Sequence, residues 1–429
     1  NDGKGTFRYA PELLPDTKAS GSCVIAADYD KDGDLDLFVG GRIVPGRYPY
    51  SPQSYLLKNT NGKFTDVSVQ QLPAKGKMGM VCSALWTDYN NDGWIDLMVA
   101  GEFMPLTIIP NINGTMDFNA TIRVKGSGGW WNSIAAADFD EDGDMDYLAG
   151  NLGLNSRFRA SPEKPLCIYA KDFDKNGRID PVMCYYIDDK NYIYPTRDEM
   201  VKQINSMRGR FETYKSYADV TFEKSFSAAE LADALVLKLE CTESVYLENL
   251  GNGNFASKAL PVEAQFAPLY GMLTGDFNND GHTDVLVAGN SYATESSTGR
   301  YDAMTGLLLT GNGKGNFQVH PSAETGLLAD KDVKALAEIT GANGKSWLLV
   351  ANNNDRMECY SINTKTNHHI HANPDEEKAI IRLKNGISYR QEFYYGNNYL
   401  SQTSRKIAWS DSVQSVDFYN THNEKRTVQ

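Results

Sequence analysis

The sequence has little of what several classes of protein require. Its 429 residues include only six cysteines and six histidines, and the cysteines form no C-x-x-C pair, which excludes a thiolate zinc site. No apolar run approaches the roughly 18 residues that a membrane-spanning helix needs. Lys and Arg (42) are outnumbered by Asp and Glu (55). Because phosphate binding needs a basic face, we expect no nucleic-acid partner.

Motifs of catalysis are missing as well. The sequence contains no G-x-S-x-G, no H-E-x-x-H and no phosphate-binding loop, so we expect a protein that is not an enzyme. What the chain does have is core-forming material, with 41% hydrophobic and 11% aromatic residues, and 37 glycines. Plentiful glycine indicates many turns, which favours an all-β or repeat architecture.

One nine-residue pattern, D-x-[DN]-x-[DN]-G-x-x-D, occurs five times, at residues 28–36, 88–96, 138–146, 172–180 and 276–284. Oxygens at positions 1, 3 and 5 of such a loop converge, the glycine at position 6 permits a sharp turn, position 7 offers its carbonyl, and position 9 returns a carboxylate. Calcium prefers six to eight oxygen ligands at about 2.3–2.6 Å, which this loop and a water supply. The sequence therefore predicts about four to five Ca²⁺ sites.

The residues predicted to hold calcium occupy the five odd positions of each loop. They are Asp28, Asp30, Asp32, Asp34, Asp36, Asp88, Asn90, Asp92, Trp94, Asp96, Asp138, Asp140, Asp142, Asp144, Asp146, Asp172, Asp174, Asn176, Arg178, Asp180, Asp276, Asn278, Asp280, His282 and Asp284.

EF-hands are the competing interpretation of these loops. An EF-hand needs a glutamate at position 12 and flanking helices. Position 12 is apolar in every copy: Val39, Val99, Ala149, Met183 and Val287. Each loop also continues into an apolar stretch with strand character, so we expect the loops to join strand to strand.

A larger unit surrounds the loops. Small apolar strands precede most of them, as at residues 24–27 and 271–274, and Asn-Gly turn signals follow at residues 59–64, 249–255 and 311–317. Each unit thus has four strands, with the acidic loop between the first and second and the Asn-Gly turn between the third and fourth. Such a unit is the blade of a β-propeller. We predict an all-β fold: a propeller of about six to seven four-stranded blades over residues 1–365, and a small C-terminal β domain over residues 372–429.

The repeat is interrupted in the middle of the chain. The fourth loop starts 34 residues after the third (138 to 172), so it either opens its own unit or joins later strands of the third. A helical insertion is expected at about residues 187–243, with helices at 198–211 and 228–239. A sixth unit at 333–350 has a loop, 341–344, without carboxylates and is expected to bind no calcium. Residues 6–9 are expected to close the ring as an outer strand, and the mid-repeat opening suggests a fragment or processed form.

The five loops, with residues 150–156 and 289–292, resemble the FG-GAP/VCBS repeats of integrin α-chain propellers. The resemblance is greatest to bacterial surface proteins related to cartilage acidic protein, and it covers about residues 1–365. Residues 387–392 and 395–402 resemble the start of an ASPIC/UnbV domain, which lacks its usual ending here. These resemblances imply a secreted or surface-attached calcium-binding propeller, located outside the cell, at the cell surface or in a periplasm.

The function that we expect is a ligand-binding or adhesion module for a glycan or a protein, with structural calcium. The alternatives are a polysaccharide lyase or hydrolase on the same scaffold, or a purely architectural segment of a larger surface protein. Candidate ligand residues are Trp130 with Trp131, and a set in the insertion; packing is the alternative for the first pair and a plain cap for the second. The insertion set is Tyr192, Tyr194, Arg197, Tyr214 and Tyr217.

Two further features allow two interpretations each. His368, His369 and His371 bind a transition metal or belong to a solvated linker between the domains. The cysteines are small core residues, or Cys167 and Cys184 form a disulfide.

Overall fold

The computed structural model of the chain describes residues 4–18, 20–296, 298–341, 344–363, 368–397 and 399–429. The chain opening at residues 1–3 and the middle of the carboxylate-free loop at residues 342–343 lie outside the described residues. Strands dominate the described chain and its helices are short, which confirms the predicted all-β class. No helix in these ranges is long and apolar enough to cross a membrane.

The first two sheets follow the predicted strand order. The first sheet contains β1 (Ser20–Ala27), β2 (Asp36–Ile43), β3 (Tyr55–Thr60) and β4 (Lys63–Asp66), paired in that order. A short helix, α1 (Ser68–Gln71), and a 3-10 turn (Pro73–Gly76) lead to the second sheet. This sheet consists of β5 (Met80–Thr87), β6 (Asp96–Met104), β7 (Thr107–Ile109) and β8 (Ile122–Arg123), with β9 (Gly129–Trp130) added to β6.

The third sheet is interrupted by an inserted sheet. Strands β10 (Ser133–Ala137) and β11 (Asp146–Gly150) open the third sheet. The inserted sheet follows with β12 (Leu166–Lys171), β13 (Asp180–Ile187), β14 (Lys190–Ile193) and β15 (Leu235–Leu239), in the order β14-β13-β12-β15. The chain then returns to β11 with β16 (Val245–Asn249), to which β17 (Phe255–Ala259) is paired.

Short helices lie between β14 and β15 in the inserted unit: α2 (Arg197–Gln203), α3 (Met207–Arg210), α4 (Tyr214–Ala218), α5 (Phe222–Ser225) and α6 (Ala228–Leu231). The helix predicted at 228–239 is therefore wrong beyond its first turn. Residues 235–239 instead pair with the free edge of β12, residue by residue from Leu166–Leu239 to Ala170–Leu235. An apolar run this short fits a helix and a strand equally well by its pattern. Pairing with the edge of β12 makes it a strand.

Two more sheets complete the repeat region. The fourth sheet contains β18 (Leu269–Gly275), β19 (Asp284–Gly289), β20 (Leu307–Gly311) and β21 (Phe317–Pro321), followed by α7 (Ser322–Thr325). The fifth sheet has three strands: β22 (Val333–Thr340), β23 (Ser346–Asn352) and β24 (Glu358–Ser361). The expected outer strand at residues 6–9 is wrong, because these residues form no strand and Phe7 and Tyr9 are 79% and 88% exposed.

The C-terminal residues form sheets of their own. Strand β25 (His368–His371) pairs with β28 (Lys406–Trp409), and the C-terminal sheet has the order β27-β26-β29-β30. Its strands are β26 (Glu376–Leu383), β27 (Ser388–Glu392), β29 (Val413–Asn420) and β30 (Lys425–Val428).

The first strands of the five sheets contact one another in chain order: β1, β5, β10, β18 and β22. The hydrophobic core lies between consecutive sheets; Phe38 and Leu56 of the first sheet, for example, pack with Leu97 of the second. This is the architecture of a β-propeller. The six predicted units match the five consecutive sheets and the inserted sheet, but the fourth unit is the inserted sheet, which lies in the chain between β11 and β16 of the third sheet.

The C-terminal region reaches both ends of this series of sheets. Tyr395 forms a β-bridge with Ala26 of the first sheet. On the other side, the Ser404 main-chain N–H donates to the carbonyl oxygen of Glu338 in the fifth sheet at 3.4 Å. Tyr395 and Ser404 of the C-terminal region therefore contact the first and the fifth sheet, respectively.

Candidate metal centres

The five acidic loops share one backbone conformation. The residue at position 4 is left-handed in each, with φ between 59° and 64°, and the glycine at position 6 has φ between 86° and 96°. Only glycine adopts such angles without steric cost at position 6. Each loop joins two antiparallel strands, as β1 and β2 around the first loop, so the loops are not EF-hands.

The aspartate at position 1 holds the turn together. In all five loops its Oδ2 accepts the main-chain N–H of the position-6 glycine at 2.8–3.2 Å. In the first loop Asp28 also accepts the Asp32 N–H with its Oδ1, at 3.0 Å. These bonds lie within the loop itself and fold it around the carboxylates without the help of a ligand.

The aspartate at position 9 is buried in every loop, with 0–3% of its surface exposed. It accepts the N–H of the position-2 residue in four loops, as Phe139 donates to Asp146 at 3.3 Å and Phe277 to Asp284 at 2.9 Å. Burial raises the pKa of Asp96 and Asp146 to about 8, and neighbouring aspartates add to the shift. An uncompensated carboxylate is costly here, and a bound cation would remove that cost.

Carboxylate oxygens converge in three of the loops. In each of these groups the ligand atoms lie within 4.8 Å of one another: Asp28, Asp30 and Asp36; Asp138, Asp140 and Asp142; Asp172, Asp174 and Asp180. Every loop also contains at least one buried carboxylate oxygen without a hydrogen-bond partner. These oxygens belong to Asp30, Asp36, Asp88, Asp138, Asp140, Asp144, Asp174 and Asp276.

These residues fit a hard cation. Unpartnered buried oxygens are expensive, and several acidic oxygens on one small loop are the donor set that calcium prefers. When bound, calcium would supply the positive charge that compensates these carboxylates. The predicted use of the position-7 carbonyls, at Asp34, Trp94, Asp144, Arg178 and His282, stays a prediction. The His282 side chain itself pairs with Glu141 of the third loop.

Sequence reasoning missed a set of asparagines that connect the loops to neighbouring sheets. The Asn111 N–H donates to Asp96 at 2.7 Å, and its side-chain amide donates to the carbonyls of Ile95 and Tyr29 at 3.0 and 2.7 Å. Tyr29 belongs to the preceding loop, so one asparagine joins two consecutive units.

The third sheet repeats the arrangement. Asn249 donates its N–H to Asp146 at 2.8 Å and its side-chain amide to the Tyr89 carbonyl of the second loop at 2.7 Å. Asn59 makes the local half of the contact in the first sheet, to Asp36 and Leu35. The available signal is an asparagine at or just after the end of the third strand, and two of the three, Asn59 and Asn249, open the predicted turn segments 59–64 and 249–255.

The C-terminal sheet contacts the second and third loops directly. Lys378 Nζ lies 3.1 Å from Asp88 Oδ2, and Arg390 Nη2 lies 3.2 Å from the same oxygen. The Arg390 main-chain N–H donates to Asp138 Oδ2 at 2.9 Å. Position 1 of both loops is therefore shared between the loop and the C-terminal sheet, which sequence reasoning did not predict.

Trp130 and Trp131 have separate environments. Trp131 is fully buried and donates to the Ser127 carbonyl, so packing is its role. Trp130 donates to Glu102 at 2.7 Å and lies against Phe103, with ring centroids 5.6 Å apart. The two rings do not form one exposed platform.

The insertion residues divide into two groups. Tyr192, Tyr194 and Tyr217 line a groove of about 350 Å³ together with Tyr185. Tyr214 lies outside it, is 66% exposed, and stacks with the Arg197 guanidinium at 5.2 Å. Part of the predicted set therefore comes together around one concave surface.

The remaining candidates take structural roles. Cys167 and Cys184 form a disulfide across β12 and β13, whereas Cys359 is an exposed free thiol and not a core residue. The histidine segment is strand β25 and not a solvated linker; His369 Nε2 lies 3.0 Å from Ser346 Oγ. The His368 side chain lies outside the described residues.

Comparison with known proteins agrees with this architecture. Residues 1–39 and 88–149 match the model of an FG-GAP-like repeat, and residues 269–303 match that of the FG-GAP repeat. These ranges contain the first, second, third and fifth loops. The chain therefore contains FG-GAP-type repeats at these positions.

Among solved structures, the chain is similar to one described as "Crystal structure of BBS1N in complex with ARL6DN, soaked with mercury". The identity is 11%, the TM-score is 0.23, and the match covers 81% of this chain and 94% of that chain. No curated protein matches the sequence.

Proposed function

We propose that this protein is an extracellular or cell-surface calcium-binding propeller that serves as a ligand-binding or adhesion module, with calcium in a structural role. The proposal divides the chain into a propeller at residues 1–365 and an ASPIC/UnbV-like domain at 372–429. The observation that carries the calcium part is the set of buried, unpartnered carboxylate oxygens that recurs in all five loops.

The concentration of calcium outside cells suits such sites. Calcium modules of extracellular proteins bind with Kd on the order of 10⁻⁴–10⁻³ M. We expect equilibrium dialysis of the intact chain against millimolar calcium to retain four to five ions. Retention of one ion or none would contradict the proposal, and Asp174→Asn should remove one ion if each loop binds independently.

A glycan is the ligand that the tyrosine groove supports best. Sugar rings present apolar faces that stack on aromatic side chains, and binding sites are typically concave with a few polar groups. A glycan array tests this idea. Tyr192→Ala should reduce binding at least tenfold, whereas Tyr214→Ala, an exposed tyrosine outside the groove, should leave binding unchanged. Equal effects of both variants would remove the groove from the proposal.

One observation favours an enzyme as the second candidate. Glu377 lines a cavity of about 290 Å³ between the first two loops and the C-terminal region, where burial raises its pKa to about 8. A protonated glutamic acid is the general acid of many glycosidases. In the same cavity, however, Lys378 and Arg390 pair with Asp88, and Arg390 pairs with Glu392 at 2.5 Å, which supports an interface.

A test for polysaccharide cleavage distinguishes the binding module from the enzyme. We expect no cleavage of any polysaccharide in a panel incubated with the calcium-loaded chain. Cleavage that Glu377→Gln abolishes, with an unchanged melting temperature, would establish the enzyme instead.

A further inference from the structure

The second and third loops differ from the fourth in what holds their position-1 aspartate. In the fourth loop Asp172 is held by its own loop, because its two oxygens accept the N–H groups of Asn176 and Gly177 at 2.9 and 2.8 Å. In the second and third loops, the C-terminal sheet supplies further donors to the corresponding Oδ2. This difference gives the C-terminal sheet a chemical role at two of the five candidate ion sites.

At the second loop, Asp88 Oδ2 accepts hydrogen bonds from the Gly93 N–H at 3.2 Å and from Lys378 Nζ at 3.1 Å, and it forms an ion pair with Arg390 Nη2 at 3.2 Å. Asp88 is 2% exposed, and its Oδ1 is buried without a partner. The donors on Oδ2 fix the rotation of the carboxylate, so that its other oxygen is the one left to bind a cation.

The third loop repeats this arrangement with a main-chain donor. Asp138 Oδ2 accepts the N–H groups of Gly143 and Arg390 at 3.2 and 2.9 Å. Asp138 is 1% exposed, its Oδ1 is unpartnered, and its carboxylate lies within 4.8 Å of those of Asp140 and Asp142. Arg390 thus contacts both loops, one through its side chain and the other through its backbone.

We propose that Lys378 and Arg390 are positioning residues for calcium at the second and third loops, so that calcium binding there and docking of the C-terminal sheet stabilise each other. The inference rests on the proposed calcium binding. Linkage makes the effect reciprocal: whatever factor docking adds to calcium affinity, calcium adds to docking.

Two physical effects oppose each other at Lys378. Its positive charge repels a calcium ion, which lowers affinity, while its bond to Asp88 prepares the ligand, which raises affinity. Glu392 reduces the repulsion because it pairs with Arg390 and accepts the Asp88 N–H at 3.2 Å. We therefore expect the positioning effect to be larger than the repulsion. Affinity for the ion should then fall when the Lys378 charge is removed, whereas a rise in affinity would show that repulsion dominates.

The second loop carries its own spectroscopic reporter. Trp94 occupies position 7, and the other four nonapeptides contain no tryptophan. Terbium replaces calcium in oxygen cages and emits when a nearby excited tryptophan transfers energy to it. Lys31 of the first loop also lies over the Trp94 ring, at 4.2 Å. The second-loop signal in a terbium titration with tryptophan-selective excitation is therefore the part that both Trp94→Phe and Asp92→Asn remove.

The first test measures affinity at the second loop of the intact chain. Lys378→Met should weaken terbium binding there by about tenfold, and Lys378→Arg should restore most of it. Calcium competition on the same samples should show the same loss. Unchanged or tighter binding in Lys378→Met would overturn the proposal.

The second test runs in the reverse direction and leaves the contacting residues intact. Calcium should slow amide hydrogen exchange in β26 and β27 at least fivefold in the unmodified chain. Asp92→Asn, which weakens the second loop without touching the C-terminal sheet, should remove much of this protection. Asp174→Asn, the same carboxylate-to-amide change at position 3 of the fourth loop, should not. Equal exchange with and without calcium would overturn the inference.

The outcomes separate this inference from the calcium proposal. A chain that binds neither terbium nor calcium would contradict both. A chain that binds four to five calcium ions, yet shows no change of exchange in β26 and β27, would retain structural calcium and lose only the coupling.

Discussion

The first four propeller sheets and the inserted sheet carry the same acidic loop after their first strand but use it differently. In the second and third sheets, the position-9 aspartate accepts an asparagine N–H from the third strand, and that asparagine reaches the loop of the preceding sheet. In the inserted sheet, Asp180 accepts the Phe173 N–H of its own loop at 3.0 Å, a bond that Asp96 and Asp146 also make, but among the described residues no asparagine of a third strand donates to it. The same nonapeptide is a connection between sheets in one context and a local turn in the other.

This difference indicates that the motif combines two separable roles. The cage of carboxylates is local, since its spacing and left-handed backbone are present in all five loops. The connection to a neighbouring sheet needs an asparagine at the end of the third strand. The inserted sheet lacks this connection among the described residues and has another source of stability. Its helices supply a separate core that includes Met200, Phe211 and Phe222, and a disulfide joins β12 and β13.

Removal of calcium should have the largest effect and should affect both regions. At ten times Kd, each filled site adds about 1.4 kcal/mol to the free energy of unfolding, or about 7 kcal/mol for five independent sites. We expect excess chelator to lower the melting temperature strongly in calorimetry, and added calcium to restore it. An unchanged melting temperature would contradict structural calcium in both regions.

Loss of one connecting asparagine should destabilise the propeller and spare the inserted sheet. Asn111 is fully buried, and Asn111→Ala would leave the Tyr29 and Ile95 carbonyls without a donor, at a cost of about 3–4 kcal/mol. Urea unfolding should show this loss. The control is Asn312→Ala, at an exposed asparagine whose carbonyl serves its own turn, with an expected cost under about 1 kcal/mol.

Removal of the disulfide should show the opposite pattern. The bond closes a sequence separation of 17 residues, and such cross-links contribute about 2–3 kcal/mol. Replacing both Cys167 and Cys184 by serine should increase hydrogen exchange and proteolysis within the inserted sheet. Hydrogen exchange in β5 and β10 should not change. The control variant, Cys359→Ser, should change exchange in neither region. A uniform loss of protection in both regions would show that they unfold together.

The smallest effect concerns a cation of the chain itself. Lys58 pairs with Asp30 and lies 3.4 Å from Asp32 in the first loop. Lys58 bridges two candidate ligands, whereas Lys378 contacts Asp88 alone. Because the Lys58 ammonium ties both carboxylates to itself, its competition with a bound ion should outweigh positioning, and Lys58→Met should raise calcium affinity at the first loop about two- to fivefold, as expected for a partly exposed pair. Site-resolved NMR of the Gly33 amide would measure it, with Gly177 of the fourth loop as the unaffected reference.

Much of the repeat architecture is predictable because its signals are local. Turn signals such as residues 311–317 predict the hairpin of β20 and β21, and the small apolar runs at 24–27 and 271–274 predict first strands. Errors arise where distant partners decide. Residues 235–239 become a strand because β12 offers an edge, and Phe7 and Tyr9 stay exposed although their pattern suits an outer strand.

The candidate sites show the same division. Spacing alone predicts that the carboxylates of residues 138, 140 and 142 converge, and the structure groups them within 4.8 Å. Spacing does not predict that Arg390, 252 residues later, donates to Asp138. Nor does it predict that Asn249 reaches Tyr89 across 160 residues.

The sequence by itself determined the acidic turns, their backbone and the order of strands around them, because each depends on residues within a few positions of one another. The tertiary structure alone decided which turn joins its neighbour, which sheet is nested inside another, and which aspartates meet Lys378 and Arg390. Those contacts depend on the packing of sheets far apart in the chain, where burial and hydrogen-bond satisfaction select partners that no short pattern encodes.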